Sequence, residues 1–450
     1  MEWNKLICDC RFGLEHHHSA PHNRTDFQRD FDRLVFSAPF RRLQNKTQVF
    51  PLPGKVFVHN RLTHSLEVSC IGRSLGNQVG ERVVANRPQS TFRSTDVGAI
   101  VSAACLAHDM GNPPFGHSGE RAITAYFKEG KGKKWKAQVE SEGGRWTDFT
   151  KYEGNANAFR LLTHAFRGRR EGGFVLTYST LASIVKYPYT SLDPDGKKLG
   201  FFAPEEEAYQ TIANRLGIPR LSAPGEPLRY ARHPLVYLVE AADDICYQIM
   251  DIEDAFKLNF VSRQEVLDLF LAFFPQAEHP RLLRHFERVS DVNEQIAYLR
   301  SAVIGTLIDA CTEVFMNAEE QILEGAFPSS LVEAFTAKDQ TEHYLRLGEA
   351  YKACQKIATE RIYCAKEVVD IEFAGFRIFE FLLDSLIEAQ LHPGYAYSKL
   401  WERRIPSQYD LSSNNMYGRI MTALDYISSM TDVYALDLYR KITGMNLPAI

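Results

Sequence analysis

The chain has 450 residues, 45% of them apolar, and a formal net charge of −4. That length exceeds one ordinary domain and supplies a sizeable core, so one large domain with an appended lobe, or two domains, is expected. A slightly acidic balance excludes a polycation built for nucleic acid, and no apolar run approaches the length of a membrane-spanning helix.

Along the chain, helical periodicity dominates. The N-terminus lacks a charged region followed by a long apolar run, so no secretory signal is expected. His16-His17-His18 reads as an exposed polar segment rather than a metal tract. The best short strand is Gln48-Val49-Phe50, just before Pro51. Residues 96–109 carry Val97, Ile100, Val101, Ala104 and Cys105 at helical spacing, and Gly111 with Pro113-Pro114 ends that helix. A long helix over 234–256 follows, and further helices are predicted at 291–324, 341–359, 373–391 and 417–443. Two polar segments, 128–152 and 191–232, read as long loops; a lid or subunit contact and a plain surface insertion are both compatible with them. The basic clusters Lys131-Gly132-Lys133-Lys134 and Arg167-Gly168-Arg169-Arg170 are expected to be solvated loops, with a secondary nucleic-acid contact as the alternative. Eight scattered cysteines with no CxxC pair predict reduced thiols in a cytoplasmic protein.

The chemistry concentrates in Cys105-Leu106-Ala107-His108-Asp109-Met110-Gly111-Asn112-Pro113-Pro114-Phe115-Gly116-His117-Ser118-Gly119-Glu120. His108-Asp109, at a helix C-terminus, is half of a divalent-metal site. His64 upstream and Asp243 downstream are candidates for the rest. Two imidazoles and two carboxylates suit manganese, magnesium, iron, zinc or nickel, and leave an octahedral ion with positions for water and substrate. His117 and Glu120 stand at i, i+3; beside the His-Asp pair they read as a proton-transfer couple in which Glu120 orients the imidazole and raises its pKa. Without that context they would be a helix-start His and a solvated Glu. Asp243, Tyr247 and Asp251 share one helical stripe, and spacing alone leaves them either a functional ladder or a solvated acidic edge.

The order His64…His108-Asp109…Asp243 resembles the HD-domain phosphohydrolase superfamily. The resemblance narrows on Asn23-Arg24-Thr25-Asp26-Phe27, Phe36-Ser37-Ala38-Pro39-Phe40-Arg41-Arg42-Leu43, Gln48-Val49-Phe50 and His59-Asn60-Arg61-Leu62-Thr63-His64-Ser65. It continues through Tyr152-Glu153-Gly154-Asn155-Ala156, Lys186-Tyr187-Pro188, Glu240-Ala241-Ala242-Asp243-Asp244-Ile245-Cys246-Tyr247 and Asp425-Tyr426-Ile427-Ser428-Ser429-Met430-Thr431-Asp432. These motifs are similar to those of the dGTP triphosphohydrolase family.

That resemblance implies a mostly α fold with few short strands, in which 1–55 packs on an HD core at 56–256 and helices at 257–450 complete the pocket. It implies metal-dependent hydrolysis of dGTP to deoxyguanosine and inorganic triphosphate by water attack at the α-phosphorus. A broad dNTP triphosphohydrolase, or an HD nucleotidase or phosphodiesterase, is the alternative. It assigns His64, His108, Asp109 and Asp243 to a divalent ion such as Mn or Mg, and Tyr247 and Asp251 to the deoxyribose. Arg61, Lys186 and Lys198 fall to the phosphates, Asn155 to sugar or phosphate, Gln48 and Val49 to the nucleoside, and Glu372 to guanine. Homo-oligomers, often hexamers, are further implied, and a regulatory or single-stranded-DNA-binding protein is a competing reading of the chain.

Overall fold

The computed structural model describes residues 1–16, 24–49, 59–194, 196, 198–335, 337 and 341–445, with the backbone alone at 367. Phe50 of the expected strand, the Pro51 that follows it, His17 and His18 of the His tract, Asn23 and Lys197 lie outside the described residues.

Twenty-two α-helices are formed among the described residues. No extended strand appears there; the expected few strands reduce to four isolated bridges, one of them Thr47 to Asn60. Three long helices frame the site: α1 (Arg61–Ala85), α2 (Ser94–Ala107) and, further along, the helix over Pro234–Lys257. α2 is built mostly of small apolar residues, and all of it but Ser94, Thr95 and Ala99 is buried. α1 approaches it backbone to backbone: a Cβ on Gly76 would sit 2.8 Å from Gly98 Cα, so a larger residue there would force the pair apart.

Beyond the His-Asp turn come α3 (His117–Lys128) and α4 (Gly154–Thr163), and the Pro234–Lys257 helix is α5. Pro234 begins α5 where its missing N–H costs nothing. Val68, Leu75, Ile100, Val101, Leu238 and Ile245 belong to one large core, which also takes in helices as far as Ile362. A second core forms around α3, α6 (Lys366–Leu391), α7 (Met416–Ser428) and α8 (Asp432–Ile442), with Ile123, Phe127, Phe149, Leu382, Leu386, Ile420 and Leu438 buried together.

Several predicted elements differ in extent. The 291–324 helix breaks at Ala318 into Val292–Asn317 and Glu319–Glu324. The 341–359 helix is Glu342–Ile357 followed by a π-helical turn, Ala358–Ile362. The 417–443 stretch is two helices, because Thr431 accepts from the Tyr434 amide and starts a new one. That break frees Asp432 to reach across the molecule. Its carboxylate accepts from the Phe115 amide at 2.9 Å and the Thr47 amide at 2.8 Å, tying the second core to the His-Asp turn. The 128–152 segment is not a bare loop but contains short helices at Lys136–Ser141 and Thr147–Thr150; Val139, Trp146 and Phe149 bury themselves in the second core. Within 191–232 the chain forms a helix at Glu206–Leu216. No helix among the described residues is long and apolar enough to cross a membrane.

Candidate metal centre and its cleft

Local sequence aims the two imidazoles. Asn60 and Thr63 form a reciprocal capping box, the Thr63 amide donating to Asn60 Oδ1 at 3.0 Å and the Asn60 amide donating to Thr63 Oγ1 at 3.1 Å. This fixes Arg61 and His64 in the first turn of α1. His108 caps α2, and its Nδ1 lies 2.6 Å from the Cys105 carbonyl. A carbonyl can only accept, so Nδ1 carries the proton and the Nε2 lone pair faces the cleft.

His64 Nε2 stands 3.1 Å from Asp243 Oδ1, and His108 Nε2 stands 3.5 Å from the same oxygen. Donor atoms of His64, His108 and Asp243 all lie within 4.8 Å of one another. Ligands about 2.1 Å from one ion are about 3 Å apart when adjacent, so this trio fits a single divalent cation. Asp109 stands at its margin. Its Oδ1 is 3.6 Å from His108 Nε2, but that oxygen also accepts from Asn112 Nδ2 at 2.5 Å, and Oδ2 accepts from Arg61 at 2.6 Å. Burial works against every charge here, yet Asp109 and Asp243 outweigh it at His108 and raise its pKa to about 9. Arg61, then His108, hold Asp109 down to about 2 against the same burial. Such shifts mark a tightly packed group of titratable side chains; an ion here binds neutral imidazole, so the proton on His108 Nε2 must leave when it does.

Phe115 and Gly116 turn the chain with φ of 63° and 57°. At Gly116 a Cβ would meet the Arg61 guanidinium at 2.2 Å, so glycine lets that arginine lie across the turn. His117 follows, exposed at the cleft mouth. The expected His117–Glu120 pairing differs in two respects. Glu120 Oε1 accepts from the Gly154 amide at 2.8 Å, and the His117 pKa falls rather than rises, through crowding by protein atoms and then through the Arg61 charge. The carboxylates acting to raise it are Asp109 and Glu153.

Each predicted phosphate cation already has a carboxylate. Arg61 pairs with Asp109, Lys186 with Glu240 at 3.0 Å, and Lys198 with Glu153 at 3.1 Å. Asn155 lines the same cleft, but its amide brackets the backbone: Nδ2 donates to the Ile184 carbonyl at 2.9 Å and Oδ1 accepts from the Lys186 amide at 3.1 Å. Gln48 also lines it, with a buried Oε1 that accepts no hydrogen bond among the described residues. Val49 packs on the first core instead.

The cleft, about 130 Å³, thus gathers Gln48, Arg61, His64, His108, Asp109, His117, Glu120, Asn155, Lys186, Lys198, Asp243 and Tyr247. Asp251 is buried and off its wall; Glu372 is off its wall too, held by Arg121 and by the Ser118 hydroxyl at 3.3 Å. A larger cavity of about 420 Å³ behind the same turn, lined by Arg33, Arg42, Lys46 and Met110 among others, contains none of the predicted site residues. Asn112, Glu153, Glu240, Tyr363 and Asp432 were not singled out from sequence. Asn112 and Glu153 sit inside the quoted motifs, three residues from Asp109 and two from Asn155, so position was their available signal. Tyr363 has no such neighbour.

An HD-domain family model matches residues 61–145, and a phosphohydrolase-associated-domain model matches 345–441. The chain is 36% identical to a deoxyguanosinetriphosphate triphosphohydrolase-like protein of Synechocystis sp., over 99% of this chain and all of that one. It is 36% identical to one of the same name from Pseudomonas aeruginosa, over the full length of both. The deoxyguanosinetriphosphate triphosphohydrolase of Yersinia enterocolitica is 30% identical over 92% of this chain and 93% of its own. Likeness that runs from end to end, through both matched regions, makes this chain a member of the deoxyguanosinetriphosphate triphosphohydrolase-like family of HD-domain proteins.

Proposed function

We propose that the protein hydrolyses deoxynucleoside triphosphates, dGTP foremost, to the deoxynucleoside and inorganic triphosphate with a divalent ion such as Mn²⁺ or Mg²⁺. The observation that carries this reading is the trio of His64, His108 and Asp243 beside a wall bearing Arg61, Lys186 and Lys198. His64, His108 and Asp243, with Asp109 at their margin, would hold the ion, which when bound supplies Lewis-acid polarisation of phosphoryl oxygen and water.

The chain's own groups do the rest. Arg61, Lys186 and Lys198 exchange their carboxylate partners for phosphate oxygens, offsetting the substrate's charge. His117, whose pKa is lowered by crowding and then by Arg61, accepts the proton of the water that attacks the α-phosphorus. It then returns that proton to the departing O5′, so the P–O5′ bond breaks without a free alkoxide. Burial raises the pKa of Glu120, and burial with the Glu120 charge raises that of Glu153. Tyr247 and Asp251 serve the sugar: a phenol ring against C2′ leaves no room for a 2′-hydroxyl, and a carboxylate accepts from the 3′-hydroxyl.

Incubation of the protein with each dNTP and Mn²⁺ or Mg²⁺, with both products identified, tests this. Inorganic triphosphate plus deoxynucleoside is expected. Release of phosphate or pyrophosphate instead would favour an HD nucleotidase or phosphodiesterase.

A further inference from the structure

The cleft ends at Tyr247, and its volume of about 130 Å³ is too small for a nucleoside triphosphate. Pockets that take small organic ligands run roughly 300–1,000 Å³. Four residues past Tyr247 on the same stripe of α5, Asp251 is only 5% exposed. What covers it is Tyr363. The Tyr363 hydroxyl donates to Asp251 Oδ2 at 2.7 Å, and its ring stacks on Tyr247 with centroids 5.8 Å apart and planes 26° from parallel. Tyr363 follows directly on the π-helical turn Ala358–Ile362, its amide donating to the Ala358 carbonyl at 3.0 Å. Such turns carry one residue more than the helical ladder accommodates and recur at functional sites. This one joins a helix of the first core, Glu342–Ile357, to α6 of the second, and Arg361 ties it to Glu265 at 2.7 Å.

We infer that Tyr363 is a gate on the nucleoside end of the cleft, its phenol hydroxyl occupying the acceptor on Asp251 that a sugar 3′-hydroxyl takes when substrate binds. The inference rests on the proposed dNTP reading. A buried carboxylate stripped of its donor is costly, so a ligand that displaces Tyr363 must bring a donor of its own. A deoxynucleotide does; a 2′,3′-dideoxynucleotide does not. Phenylalanine at 363 keeps the ring and removes the donor, so the closed state weakens for every ligand alike, while the choice between the two sugars remains with Asp251.

The test compares unaltered enzyme with Tyr363→Phe, measuring kcat and KM for a dNTP and for its 2′,3′-dideoxy counterpart with Mn²⁺, together with Tm. Loss of one hydrogen bond to a carboxylate predicts KM lower by about tenfold to a hundredfold for both ligands, with their ratio preserved. A KM for the dNTP that stays level or rises in an active variant overturns the gate, including the case where Tm alone falls, which marks Tyr363 as a structural tie. A dNTP KM that falls while the dideoxy KM does not also overturns it. No triphosphate release by the unaltered enzyme overturns the dNTP reading and the gate with it.

Discussion

The two ends of the cleft are closed by different forces. At the His-Asp end every charge meets an opposite one: Arg61 with Asp109, Lys186 with Glu240, Lys198 with Glu153. Arg61–Asp109 is buried on both sides, and removing one member strands the other at a cost of about 3–5 kcal/mol. The Lys186 and Lys198 side chains are 30% and 43% exposed, and their pairs contribute less. At the tyrosine end the closure is one ring stack and one hydrogen bond, Tyr363 on Tyr247 and Asp251. A stack of that kind contributes about 1 kcal/mol. The ionic end is therefore anchored by Arg61 and Asp109, with Lys186 and Lys198 freer to change partners; the tyrosine end opens when a ligand replaces the Tyr363 donor. Substitutions should follow the same division.

The largest loss is expected at the trio. His64→Ala or Asp243→Ala should reduce metal-dependent turnover by about a thousandfold or more, with bound metal lost as judged by elemental analysis. Retained turnover in either variant would remove the ionic end from the chemistry. His117→Ala should cost about 10²–10⁴-fold in kcat with metal content unchanged, and full activity would end its proton-transfer role. A companion expectation concerns pH. Crowding and Arg61 disfavour the imidazolium, so His117 has a folded pKa below the free value of 6.5. It deprotonates earlier on raising pH, and the acid limb of kcat/KM belongs below 6.5; a limb centred above that value contradicts the neutral-imidazole assignment.

Smaller effects come from supporting groups. Asn112→Ala removes the donor on Asp109 Oδ1 and should weaken metal affinity by about tenfold to a hundredfold, measured by titration calorimetry. An unchanged affinity would place Asp109 outside the ion's surroundings altogether. The smallest change is expected at Glu372, whose side chain is 34% exposed and already bonded to Arg121. Glu372→Ala should alter the dGTP-to-dATP ratio of kcat/KM by no more than about threefold, in keeping with an exposed ion pair. A larger swing would bring guanine recognition to α6.

Much of the ionic end was legible in the chain itself. His108-Asp109 before a Gly/Pro turn announces a helix end with two ligand-type side chains, and Asn60 and Thr63 fix the start of α1 by a capping pattern visible in sequence. Local hydrogen bonds of that kind need only neighbours three or four residues away, so periodicity and caps reveal them. The helices over 96–109 and 234–256 were legible for the same reason. Helix breaks were less so: Thr431 is a cap-type residue, but threonine also stands inside helices, and the helical periodicity of 417–443 runs on through it.

What the sequence by itself determined is the inventory: a mostly helical chain, a set of metal-type ligands, three cations and an aromatic-acidic stripe on α5. Only the tertiary structure decided which of these meet. Asp109 went to Arg61 and Asn112, Glu120 to the Gly154 backbone, and Asp251 to Tyr363, 112 residues away. The physical reason is that a buried polar group must find a partner wherever folding brings one, and that partner is set by packing rather than by spacing along the chain.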